Sequence, residues 1–124
     1  MNSANRGEEE DNFAALRQAL RRFAEERDWD KFHSPKNLAI ALSVEAAELL
    51  EHFQWVSETE SAVIPPERRE QVRYEMADVL LYLIRLADKL NIDLAAAAAE
   101  KIHLNADKYP IDKARGNAKK YTEL

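Results

Sequence analysis

The sequence predicts an all-α protein, a four-helix bundle, on three observations. Only 2 Gly and 4 Pro occur in 124 residues, far below the roughly 12% of average proteins. That leaves few of the tight turns that sandwiches, barrels and βαβ arrays need. Apolar residues recur in four segments at steps of three and four, the helical period. Most of these segments are bounded by capping or breaking residues.

Phe13, Leu16, Leu20 and Phe23 form one apolar stripe on a helix over 11–27, with the acids Glu8, Glu9, Glu10 and Asp11 at its positive end. Residues 1–10 are expected to be disordered, and 11–124 to form a single all-α domain. Asp28 to His33 break the period and read as a loop. Ser34-Pro35 then supplies an N-cap and a first-turn proline for a second helix carrying Leu38, Leu42, Leu49 and Phe53 to about Trp55. Residues 57–66 are a polar connector ending in Ile64-Pro65-Pro66. A third helix, about 67–90, has the seam Val72, Met76, Val79, Leu83, Leu86 and Leu90. Asn91 suits a helix stop, and Asp93 caps a fourth helix through the alanine run to about Lys108, which Pro110 ends. The basic tail with Arg115, Lys119, Lys120 and Tyr121 reads as irregular.

Ile40, Val44 and Leu50 lie off the second helix's seam, as Leu81 and Ile84 do off the third's. A bundle this small cannot cover both faces, so a homo-oligomer is expected, a dimer or a dimer of dimers (a tetramer). The 23 acidic and 18 basic residues give a net charge of −5, spread along the chain, which argues against a nucleic-acid polymer as partner. The longest apolar run, Val79-Leu80-Leu81-Tyr82-Leu83-Ile84, is too short to span a bilayer. The expectation is a cytoplasmic chain with no membrane partner. With 0 Cys, disulfides, thiolate zinc sites and cysteine nucleophiles are out. Gly7 and Gly116 stand alone, so no Gly-rich phosphate loop exists.

Five acids interrupt apolar helices. Glu45, Glu48 and Glu51 fall between Leu38 and Phe53, and Glu75 and Asp78 between Val72 and Leu86. Glu45-x-x-Glu48 and Glu75-x-x-Asp78 each occupy one face on adjacent turns, in mid-helix, away from the positive ends that favour acids. If the two helices face each other, four carboxylates converge with no base squarely between them. Repulsion of several kcal/mol at ~4 Å must then be relieved by protonation or by a cation. Carboxylates without His or Cys suit a hard cation, Mg²⁺ or Mn²⁺. The alternative is that all of these acids point to water, as Glu usually does. Glu100 and His103 have the E-x-x-H spacing of di-iron bundles, but the motif occurs once where such sites need it twice.

Taken together, these residues resemble the all-α nucleoside triphosphate pyrophosphatases, the MazG-like superfamily that also includes dimeric dUTPases. The two acidic pairs are similar to that superfamily's signature. Phe23-Ala24-x-Glu26-Arg27-Asp28-Trp29-x-x-Phe32-His33-x-Pro35-x-Asn37-Leu38 resembles its dCTP pyrophosphatase branch. So do Phe53-Gln54-Trp55, Asp78-Val79-Leu80-x-Tyr82-Leu83 and Lys120-Tyr121-Thr122-Glu123-Leu124. The resemblance covers about residues 13–124.

It implies a Mg²⁺-dependent hydrolase (Mn²⁺ as substitute) that splits a nucleoside triphosphate into monophosphate and pyrophosphate, a step of nucleotide pool cleansing. dCTP or a modified dCTP is the first substrate expected, with dUTP or a broad preference as the alternative. It implies Glu45, Glu48, Glu75 and Asp78 as metal ligands. Trp29, Asp30, Lys31, Phe32, His33, Trp55 and Tyr82 would line the nucleotide pocket, and Lys101, Asn105 and Tyr109 would lie near phosphates or sugar. Glu45 or Glu48 would orient or deprotonate the attacking water. Vertebrate members of the branch carry a substrate-contacting His on the first helix, where this chain has Leu20 with Arg21 beside it. A non-catalytic helical oligomerisation or regulatory module is the reading from another class.

Overall fold

The computed structural model describes residues 12–124, which form helices and turns and no strand. The segment 1–10 expected to be disordered, with Asp11, lies outside them. The four long helices are α1 (Ala14–Glu26), α2 (Pro35–Glu51), α3 (Pro66–Lys89) and α4 (Leu94–Lys108). Residues Phe13–Ile92, holding α1 to α3, make one compact unit; Asp93–Leu124, with α4, belong to a second.

The helix boundaries follow local chemistry. Ser34 Oγ accepts from the Asn37 amide at 3.1 Å and so caps α2, while the Asn37 side chain donates to the Phe32 carbonyl at 3.0 Å. Asp93 caps α4 by accepting from the Ala96 amide at 3.0 Å. Past the ends of α1 and α3 the chain turns through left-handed residues, Asp28 (φ 54°) and Asn91 (φ 55°), residue types that tolerate that region. Asp30–Phe32 then form one 3-10 turn.

Three elements depart from expectation. α2 stops at Glu51, and Phe53 to Trp55 form a turn instead of a last helical turn. The polar connector contains a one-turn helix, Glu58–Ser61, closed by a reciprocal Ser57–Glu60 capping box. The basic tail is not wholly irregular, since Ile111–Ala114 and Tyr121–Glu123 are short helical turns.

Within the first unit α3 packs against both α1 and α2. The buried apolar residues are Ala24, Leu38, Val72, Ile84 and Ala87. Ile84, expected to await a partner, is only 2% exposed, whereas Met76 and Leu90 of the expected seam are 57% and 49% exposed. A helix with neighbours on two sides buries a wider arc than one heptad seam describes, which explains the exchange. No helix among the described residues is long and apolar enough to cross a membrane.

Candidate active site

The α-helical repeat places Glu45 and Glu48 one turn apart on α2, and α3 brings Glu75 to them. One carboxylate oxygen from each of the three lies within 4.8 Å of the others. None of the three is in an ion pair among the described residues: Arg73 is taken by Glu70 at 2.7 Å and Arg85 by Asp30 at 2.6 Å. The cost falls on Glu45, whose carboxyl is pushed up to about 8, foremost by sharing a hydrogen bond with Glu75, then by burial and by Glu48. Glu75 Oε1 is buried and has no hydrogen-bond partner. An all-oxygen donor set with an orphaned buried acceptor fits a hard divalent cation.

In the same unit a cavity of about 470 Å³ opens. Leu16, Leu20 and Phe23 of α1 form an apolar wall, and Trp29 and His33 project from the turn after α1. Asp78, Tyr82 and Arg85 complete it from α3. Trp29 sits edge-on to Phe23 (centroids 5.7 Å apart) and to His33 (6.5 Å). Burial, with the charges of Glu45 and Asp78, raises the Tyr82 phenol, keeping it a protonated donor. Tyr82 thus lines the cavity while feeling the charge of Glu45 in the trio.

Beneath the cavity lies a charged network. Arg85, 6% exposed, bonds to Asp30, to Asp88 at 3.4 Å and, from Nε, to His33 Nδ1 at 3.3 Å. Asp88 also takes Arg21 through two hydrogen bonds, of 2.8 and 2.5 Å, which hold its carboxyl below the usual range. Lys89 donates to Asp30 as well. Burial first, then the Arg85 and Lys89 charges, lowers His33.

Of the residues expected at the site, Glu45, Glu48 and Glu75 converge, and Trp29, His33, Tyr82 and Asp78 line the cavity. Asp78 lines the cavity and is outside the trio. Asp30 does not line the cavity; it bonds to Arg85 and Lys89 behind it. Lys31 pairs with Asp28 at 2.8 Å, and Phe32 is 58% exposed. Trp55 does not line the cavity and is 88% exposed. Lys101 and Asn105 are exposed on α4, and Tyr109 at its end stands edge-on to Tyr121 at 6.1 Å. Glu100 and His103 join no metal-capable cluster among the described residues.

Sequence reasoning missed two features. Leu16 and Phe23 were legible as an apolar stripe, but periodicity identifies an apolar face without saying whether it meets a core or a cavity. Of the partners of Arg85 only Asp88, three residues on, was local; Asp30 and His33 are more than fifty residues away in the chain.

The helical unit thus holds both an aromatic-lined cavity and three converging carboxylates that could hold a metal ion. Residues 40–124 match the MazG-like family, and the chain belongs to that family. It is 44% identical over 111 residues to dCTP pyrophosphatase 1 of Mus musculus and 41% identical to that of Homo sapiens. In both cases 88% of this chain is covered, and the chain spans 65% of the length of these relatives. A solved structure of a pyrophosphatase from Archaeoglobus fulgidus DSM 4304 superposes with a TM-score of 0.74 at 44% identity, covering 77% of this chain and 90% of that one.

Proposed function

We propose that this chain is a divalent-metal-dependent nucleoside triphosphate pyrophosphohydrolase. Its first substrate is dCTP or a modified dCTP, with dUTP or a broader set as the alternative, and its products are the monophosphate and pyrophosphate. The observation that supports this most is the carboxylate trio, with its orphaned Glu75 Oε1, in the same unit as a cavity bearing Trp29, His33 and Tyr82. The names of the relatives point the same way.

In this reading Glu45, Glu48 and Glu75 hold Mg²⁺, with Mn²⁺ as substitute, and Asp78 joins from the cavity side. The bound ion supplies Lewis-acid neutralisation of the triphosphate's charge. Glu45 or Glu48 takes the proton from a water whose oxygen bonds to the α-phosphorus as the bond to the pyrophosphate oxygen breaks. Trp29 stacks on the base and excludes water from one of its faces. The Tyr82 hydroxyl donates toward sugar or phosphate. Lys101, Asn105 and Tyr109 are proposed as phosphate or sugar contacts on the strength of the family resemblance, and the helices as a four-helix bundle in an oligomer.

A homo-oligomer, dimer or tetramer, would cover Trp55, Ile40, Val44 and Leu50, which are 88%, 53%, 49% and 61% exposed. Trp55 would then serve the pocket from within the assembly. The test of function is a panel of canonical and modified triphosphates with Mg²⁺, with both products identified. Pyrophosphate plus monophosphate is expected; orthophosphate alone, or no turnover, would overturn the reading.

A further inference from the structure

Beside its apolar wall the cavity is lined by four residues with polar or charged groups: Asp78, Tyr82, His33 and Arg85. The imidazole is the one whose hydrogen-bonding sense is set by a neighbour. Arg85 Nε–H donates to His33 Nδ1 at 3.3 Å. A guanidinium has no acceptor to offer and is always charged, so Nδ1 must be unprotonated and the ring's single proton must sit on Nε2. His33 Nε2 makes no hydrogen bond among the described residues. Arg85 itself is locked: its other nitrogens are held by Asp30 and Asp88, and Asp88 is fixed in turn by Arg21. Burial and the Arg85 and Lys89 charges oppose a second proton on the ring.

Resting on the proposed function, we infer that Arg85 is a positioning residue that fixes His33 as an Nε2–H donor, so that the cavity selects a heteroaromatic base presenting a hydrogen-bond acceptor, a carbonyl oxygen or an unprotonated ring nitrogen, toward His33. The wall around it (Leu16, Leu20, Phe23) offers no competing partner. A site built around a donor rejects a ligand that leaves it unpaired, because the donor then loses water without replacement. An Nδ1–H imidazole would present an unprotonated, accepting Nε2 and would favour a donor on the base instead.

The experiment has two arms on the full chain. The first is ¹⁵N NMR of the imidazoles, which separates protonated from unprotonated ring nitrogen. His33 is expected as the Nε2–H tautomer in the wild type, with averaged tautomers in Arg85→Gln. An Nδ1–H tautomer in the wild type overturns the inference. Should Arg85→Gln not fold, the wild-type spectrum and the second arm decide.

The second arm compares kcat/KM for dCTP with that for an abasic deoxyribose triphosphate. The ratio is expected to fall at least about fivefold in His33→Leu, the effect of one neutral hydrogen bond. It should be restored toward wild type in His33→Gln, whose amide donor stands near the Nε2 position. An unchanged ratio in His33→Leu, or an equal fall in both variants, overturns the inference while leaving the pyrophosphohydrolase reading intact. A wild-type chain that cleaves no triphosphate overturns both.

Discussion

Glu45 on α2 and Glu75 on α3 bring carboxylate oxygens within 4.8 Å of one another, with Glu48 beside them and, among the described residues, no base paired to any of the three. A fold that spent these positions on stability alone would have put a cation or an apolar pair there. The ligand-free protein therefore carries an electrostatic cost at this point, and the proposed cation removes it.

Removing one charge should show both halves of that statement. Glu75→Gln is expected to raise the stability of the metal-free protein at alkaline pH, because like charges ~4 Å apart repel by about 1–4 kcal/mol between aqueous and partly buried limits. The same variant should lose at least the roughly 10–100-fold in activity or metal affinity that even an outer-shell partner is worth. Urea unfolding in EDTA and steady-state kinetics check the two. A less stable variant that still turns over would place Glu75 in a packing role.

The pH dependence follows from Glu45. Its folded carboxyl, at about 8, lies above its ordinary 4.5. The fold thus binds a proton that the unfolded chain releases, and stability must decline as pH rises from the ordinary value through about 8. Melting in EDTA between about pH 5 and pH 9 should show this decline, and Glu45→Gln should flatten it. Mg²⁺ displaces that proton, so its stabilising effect should grow with pH over the same window. A Mg²⁺ effect independent of pH would separate Glu45 from the metal.

Trp29→Ala should raise KM for the triphosphate about 5–150-fold, the equivalent of ~1–3 kcal/mol of stacking on a base, and change kcat less. Trp29 touches Phe23 and His33 edge-on and lines the cavity. A loss confined to kcat would assign the indole to structure.

Asp88→Ala should destabilise the fold by about 1.5–3 kcal/mol, since it removes charged hydrogen bonds from Arg21 and from buried Arg85, which keeps Asp30. Its carboxyl is held below 3.8 by Arg21, then by the charges around it. Its contribution is therefore present above that value and lost as pH falls through the lower folded one. Denaturant midpoints of Asp88→Ala against wild type, at neutral and acid pH, measure this. The two should converge at low pH.

What was legible in the chain was local. Ser34-Pro35, Asn91 and Asp93 announced helix ends because caps act over three residues. Glu45 and Glu48 announced a shared face because 3.6 residues make a turn. The convergence of α2 on α3 was a hypothesis from acids placed where apolar residues belong. What spacing did not distinguish was Asp78 from Glu75: both lie on that face, yet the shorter Asp78 side chain lines the cavity instead of joining the trio. The pairing of Arg85 with Asp30 was readable only once α1 and the following turn were placed against α3.

Isothermal titration of Mg²⁺ or Mn²⁺ into the full chain near pH 8, repeated with Glu48→Gln, tests the carboxylate trio most directly. Saturable binding with proton release in the wild type, lost in the variant, is the predicted result. No heat, no proton release and no rise in melting temperature at millimolar metal would contradict it.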